Sequence, residues 1–240
     1  MSYWDDRTSK KDACDIAELE AKNDVLRQLG LERLKSNQVE ACSDSGDKVN
    51  CELYQSTFNT ISGGYIKNFE ILEQKRGGID NKFCVVKIIA DAVKFKGKHD
   101  PDFIINADIG DRRRFFEGSH LTINAELNKE AFVSVLGWYP DIDKENYYKL
   151  FPNEFDKNNF LQNRFKIPTR SNSTRYKLDI GFPADLKKDE TQEFIIVLAT
   201  KRKFAILNKI KVSELLTRLD EEGKSNWYMQ KIGYSVLRRK

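Results

Sequence analysis

Residues 131–139 read AFVSVLGWY, an apolar run closed by two aromatic residues, and its length and composition predict a strand. Similar stretches lie on both sides of it. They are FIINADIG (103–110), HLTINAEL (120–127), YYKLF (147–151), YKLDIGF (176–182) and EFIIVLATK (193–201). Polar or glycine- and proline-containing turns separate them. Short strands at this spacing predict an antiparallel β-sandwich or small barrel.

Towards the C-terminus the pattern changes. VSELLTRLDEE (212–222) predicts a helix capped by Ser213, with Glu214 in the first turn where the helix dipole favours an anion. The tail NWYMQKIGYSVLRRK (226–240) predicts a returning edge strand. Towards the N-terminus, KGKHDP (96–101) is polar and contains a proline, which predicts a linker. Before it, YIKNFEILEQK alternates, with Tyr65, Lys67, Phe69 and Ile71 on one side and Ile66, Asn68 and Glu70 on the other. The turn KRGGIDN joins it to KFCVVKIIADAVKF (82–95), which completes a hairpin.

Two helices are expected ahead of the hairpin. From Asp12 to Lys35, residues Ala13, Ala17, Ala21, Val25 and Leu29 recur at i+4, with Ile16, Leu19 and Leu26 widening the stripe. From Lys48 to Ile61, residues Val49, Leu53, Tyr54, Phe58 and Ile61 face inward. A hairpin alone is marginal, so helices must cover one face of it. The expected fold class is therefore α+β. A two-helix plus β-hairpin domain (1–97) precedes a mostly antiparallel, β-sandwich-like domain with a C-terminal helix (98–240).

Composition narrows the setting. No run approaches the roughly 20 apolar residues of a membrane helix, so no transmembrane segment is expected. The start MSYWDDRTSKKDAC has no apolar signal core, which leaves a cytoplasmic protein or the mature form of an exported one. The four cysteines, Cys14, Cys42, Cys51 and Cys84, all fall in the first domain. They lack CxxC spacing and neighbouring histidines, which argues for disulfides over zinc. Cys42 and Cys51 flank the turn-rich SDSGDKVN and make a natural pair, and an oxidising compartment is favoured. Residues 1–95 carry 14 basic and 16 acidic side chains, and the remainder 27 and 21. That mild excess, with basic runs only at 112–114, 201–203 and 238–240, reads as solvated edges and not as a nucleic-acid surface.

Chemistry is sparse. The only histidines are His99, in the linker, and His120, at a turn, and both read as solvated. No nucleophile elbow, dinucleotide fingerprint or P-loop is present. Asp108 with Asp111, and Asp141 with Asp143, sit in turns that Asx geometry explains. DIDKEN lacks the glycine and terminal glutamate of a calcium loop. No catalytic residue, metal or cofactor is expected.

Residues 114–168 carry a resemblance. A Phe116-Glu117-Gly118 turn, the strand AFVSVLGW, LFPN at Leu150, Phe151, Pro152 and Asn153, and a later Pro168 follow in order. Over about residues 102–207 this resembles the bacterial domain-of-unknown-function family 4384. LFPN also has a plain physical reading: Leu150 and Phe151 end a core strand, Pro152 stops the ladder, and Asn153 closes the turn. The first domain, on Ala13, Ala17, Ala21, SGGYIKNFEIL and FCVVKIIADAV, is similar to the N-terminal domain of flagellar assembly protein T and related small outer-membrane lipoproteins.

These resemblances imply an exported protein at the periplasm or outer-membrane periphery. The expected function is a non-catalytic adaptor or assembly subunit of a larger envelope machine, of secretion or flagellar type. Its partners would be proteins, a second copy of the chain being compatible with the same reading. The alternative is an envelope module sensing a ligand or cell-wall glycan, with Trp138, Tyr139 and Tyr147 lining its pocket.

Overall fold

A computed structural model describes residues 2–3, 10–29, 63–77 and 83–239. Among these the protein is mostly β, with two α-helices and several antiparallel sheets. It divides into two compact units, Met1–Phe95 and Lys96–Lys240.

In the first unit, β1 (Ser2–Tyr3) pairs with β3 (Phe83–Lys94), which pairs with β2 (Gly64–Gly77). Helix α1 (Lys10–Gln28) lies against β3. Ala13 and Ala17 are buried there beside Cys14, Cys84 and Val86, because alanine lets the helix backbone approach the sheet closely. Leu26 is buried too, whereas Leu29 is exposed. Cys14 and Cys84 form a disulfide with Cα atoms 5.0 Å apart, which ties α1 to β3 across 70 residues. Cys42, Cys51 and the expected helix at 48–61 lie outside the described residues.

The hairpin differs from simple alternation. Irregularities in β2 between Ile66 and Asn68, and again between Ile71 and Glu73, each insert one residue. Ile66, Phe69 and Ile71 pair with Ala92, Ala90 and Ile88, on the same face as Cys84. Tyr65 pairs with Val93 on the opposite face and stacks on Phe95 at 5.2 Å. Tyr65 and Phe69 were expected on one side, and the extra residue at Lys67 separates them.

The second unit is built around β13 (Glu190–Thr200), which is buried along nearly its whole length. On one side it pairs with β8 (Ala131–Tyr139), and on the other with β15 (Trp227–Leu237). The sheet continues through β9 (Asp143–Phe151) to β14 (Lys209–Lys211), and beyond β15 to β5 (Arg114–Phe116). The short β10 (Phe160–Leu161) pairs with the start of β8. All pairs are antiparallel except β15 with β5.

One face of this sheet, with Val133, Val135, Ile195, Val197, Ile232 and Tyr234, shares a core with a three-stranded sheet. That sheet runs in the order β11 (Arg164–Ile167), β7 (Ile123–Leu127), β4 (Ile105–Asp108). Its inward residues Ile105, Ala107, Ile123, Ala125, Leu127 and Ile167 are buried. The Gln230 carboxamide joins the layers, accepting from Ala107 N–H at 2.7 Å and donating to Ala107 C=O at 2.9 Å. On the other face of the large sheet lie Phe194, Ile196, Leu198, Leu136 and Trp138, in register across β13 and β8. Helix α2 (Val212–Glu222) lies against β9 and β14, with Leu215, Leu216 and Leu219 buried. Trp227 donates to Leu219 C=O at 2.8 Å and fastens the end of that helix.

Three expectations are corrected. The C-terminal strand is internal, because alternate residues Ile232, Tyr234 and Val236 enter the core while the backbone pairs on both sides. Ser213 does not cap α2. The N-cap is Lys211, without a side-chain cap, and the Ser213 carbonyl accepts from Thr217 Oγ1. KGKHDP is anchored, since Lys96 N–H donates to Asp220 Oδ1 at 2.8 Å and Lys96 C=O accepts from Lys224 N–H.

A disulfide closing a loop of this length is worth about 4 kcal/mol in the chain-entropy model. Replacing Cys14 and Cys84 together with alanine is therefore expected to cost the first unit stability of that order. Urea unfolding followed by helical circular dichroism measures it, and an unchanged midpoint would count against the assignment.

Candidate functional site

LFPN ends β9. Phe151 is fully buried, and the Phe151–Pro152 bond is cis. The Asn153 side chain donates to Leu150 C=O at 3.0 Å and accepts from the backbone N–H groups of Phe155 and Asp156. This turn delivers Asp156 into the interior, where it is 4% exposed. The Asp156 carboxylate accepts from Thr169 N–H at 3.0 Å, Asn172 Nδ2 at 3.2 Å and the Tyr176 hydroxyl at 3.1 Å. A buried carboxylate with three donors is a strong anchor, because charge-assisted hydrogen bonds gain where water is excluded. It fixes the segment PTRSNSTRYK (168–177), which further stacks Tyr176 on Phe155 at 5.9 Å.

This anchored segment borders the outer face of the three-stranded sheet. Because strand side chains alternate, the residues between the buried ones point outward. Register aligns them in two rows, Asn106–Glu126–Arg164 and Asp108–Asn124–Lys166. Arg164 Nε lies 3.1 Å from Glu126, and Asn124 donates to Asp108 at 2.9 Å. Asn124, together with Gly110 N–H, holds the Asp108 carboxyl below the usual range. These rows, with Thr169 and Arg170, line an open concavity of about 710 Å³. A second, of about 440 Å³, adjoins it through Lys166 and Arg170. It is otherwise lined by Lys177, His120, Thr122, Ser173 and Tyr176, with Pro168 and Leu121.

His120 opens β6 (His120–Leu121), which pairs with β12 (Leu178–Asp179). Its Nδ1 lies 2.6 Å from Asp179 and its Nε2 lies 3.3 Å from Lys177 Nζ. Nδ1 therefore donates and Nε2 accepts. The ring is a positioned surface group, and among the described residues no nucleophile is paired with it.

No protein-family model matches the chain, and no curated protein matches it. The two resemblances therefore carry only the residues quoted for them.

The other singled-out residues fall elsewhere. Phe116, Glu117 and Gly118 form a tight turn after β5, in which Glu117 N–H donates to Leu237 C=O and Gly118 N–H to Ile180 C=O. Gly118 has φ +79°, a left-handed conformation that suits glycine. Trp138 and Tyr147 do not line either concavity. Both are buried, with Trp138 tilted on Phe194 at 5.2 Å and edge-on to Tyr147 at 6.3 Å. Tyr139 folds over Gly137, whose missing side chain leaves room for the ring. Trp138 thus packs against Tyr147 and Phe194, and Tyr139 is half-buried. Asp141 accepts from Thr191 Oγ1 at 2.9 Å, while Asp143 takes Lys209, Asn146 and Tyr148. Among the described residues no three His, Cys, Asp or Glu side chains are grouped to hold a metal ion.

The residues of the basic concavity were missed. The signal was present in the cation- and hydroxyl-rich string TRSNSTRYK, and in the outward positions of NAD, NAE and RFK.

Glu193 is a separate feature at the end of β13. It is 4% exposed and accepts from the Tyr234 hydroxyl at 2.7 Å. Burial pushes its pKa from 4.5 up to about 7; the Tyr234 bond opposes this, and the Asp141 charge adds to it. The folded state then holds a proton that the unfolded state releases above pH 4.5, so stability falls as pH rises from about 4.5 through 7. The full span corresponds to about 3 kcal/mol. Glu193→Gln is expected to remove this slope, so the variant gains on the wild type between pH 4.5 and 8. Parallel thermal unfolding profiles for the two proteins would refute the assignment.

Proposed function

We propose that the chain is a non-catalytic adaptor of the bacterial envelope, presenting the outer face of its three-stranded sheet to a protein partner. The observation that carries the binding role is the pair of cross-strand rows. Each runs from amide or acid on β4 to a cation on β11, on a surface backed by a packed core. Such a face has a fixed polarity, which favours register-specific docking through complementary charges. The Cys14–Cys84 bridge supports an oxidising compartment, since structural disulfides persist there and are rare in the cytosol. The envelope resemblances quoted above point in the same direction.

Compartment and docking are tested together by fractionating the native host. The chain is expected in the envelope fraction, with Cys14 and Cys84 bridged, and sedimenting with a larger complex. Combining Glu126→Lys with Arg164→Glu reverses two exposed charges and is expected to release it from that complex. Free thiols in the cytosolic fraction, or sedimentation unaffected by the charge reversal, would overturn the proposal.

A further inference from the structure

We propose that the concavity between β6, the end of β11 and the 168–177 segment is an oxyanion site that takes a phosphate group. Three cations line it, Lys166, Arg170 and Lys177, and no carboxylate does. Thr122 adds a hydroxyl donor, while the Ser173 hydroxyl donates to Arg170 C=O at 3.2 Å and closes the turn. A dianionic tetrahedral group needs this set of several positive charges together with neutral donors. Arginine adds a planar fork that engages two of its oxygens at once.

The neighbouring acids are already engaged. Asp156 is buried beneath the segment and takes Thr169, Asn172 and Tyr176. Asp179 takes His120, and Asp108 takes Asn124 and Gly110. The three cations make no salt bridge among the described residues. The site therefore gathers three cations without a salt bridge, with Asp108 acting on Lys166 only at longer range, on a chain whose overall net charge is only +4.

The frame is also set in advance. Thr169 C=O accepts from Asn172 N–H, and Asn172 C=O accepts from Arg175 N–H, so the segment carrying Arg170 and Ser173 is a closed turn. Asp156 fixes that turn from below. On the opposite wall, His120 is held by Asp179 and in turn accepts from Lys177, which fixes the ammonium group. A fixed backbone frame reduces the freedom that the site loses on contact with the anion. At about 440 Å³ the concavity exceeds a bare phosphate and leaves room for the group that carries it. The site stands independently of any protein partner.

Calorimetric titration of the full chain with inorganic phosphate and with glucose 6-phosphate, at ionic strength matched with sodium chloride, tests this. Saturable binding is expected for at least one of them. Tighter binding of the ester would identify a phosphomonoester ligand, and equal affinity would identify the free anion. Combining Lys166→Ala with Arg170→Ala is expected to weaken binding at least roughly tenfold, the loss of one good charge-assisted contact. Lys166→Arg with Arg170→Lys, keeping both charges, should recover part of it. All substituted side chains are exposed, and an unchanged unfolding midpoint verifies the fold. No saturable heat above the chloride control, or binding undiminished in the alanine variant, would overturn the site.

Discussion

The second unit depends on β13 being buried on both faces and hydrogen-bonded on both edges. Residues Glu193–Thr200 read as an uninterrupted apolar run after the glutamate because alternate side chains serve two cores. Ile195, Val197 and Ala199 meet the three-stranded sheet, while Phe194, Ile196 and Leu198 occupy the opposite face with Trp138 and Leu136. Each large side chain buried there contributes about 2 kcal/mol. A single polar substitution would also strand an unpaired group in whichever layer it entered.

Edges decide where such a structure can meet a partner. The large sheet ends in two short basic strands, β14 with Lys209 and Lys211, and β5 with Arg114. Short charged edges resist pairing with another chain. Gln230 occupies the backbone of Ala107 on β4. The polar rows and the basic concavity meet at β11, the remaining edge of the small sheet. There the Asp156 contacts fix the backbone that carries Arg170. Asn153 and Asp156 together hold the segment that carries Arg170.

Much of this architecture was legible in the sequence. AFVSVLGWY and EFIIVLATK read as strands because β-branched and aromatic residues dominate them, and VSELLTRLDEE as a helix because its leucines recur at helical spacing. The place of β15 was not legible. Gln230, Lys231 and Ser235 interrupt its apolar pattern, yet Gln230 faces the shared core, bonding to Ala107, and Ser235 is buried on the opposite face, accepting from Gln192. The bulges in β2 could not be read from alternation, since one extra residue reverses every side chain after it. Trp138 and Tyr147 read as pocket aromatics in the sequence, which does not reveal that Trp138 packs on Tyr147 and on Phe194. The Cys14–Cys84 partnership joins residues 70 apart, which spacing alone does not reveal. The basic concavity gathers residues from three separate stretches, and only their placement brings them together.

If β13 organises the second unit, amide hydrogen exchange will register it. A strand paired on both edges and buried on both faces opens only with global unfolding, whereas edge strands open locally. The amides of Ile195, Ile196 and Val197 should exchange more slowly than any in β5 or β14, at a rate set by overall stability. Exchange of those three amides as fast as that of the edge strands would contradict the account.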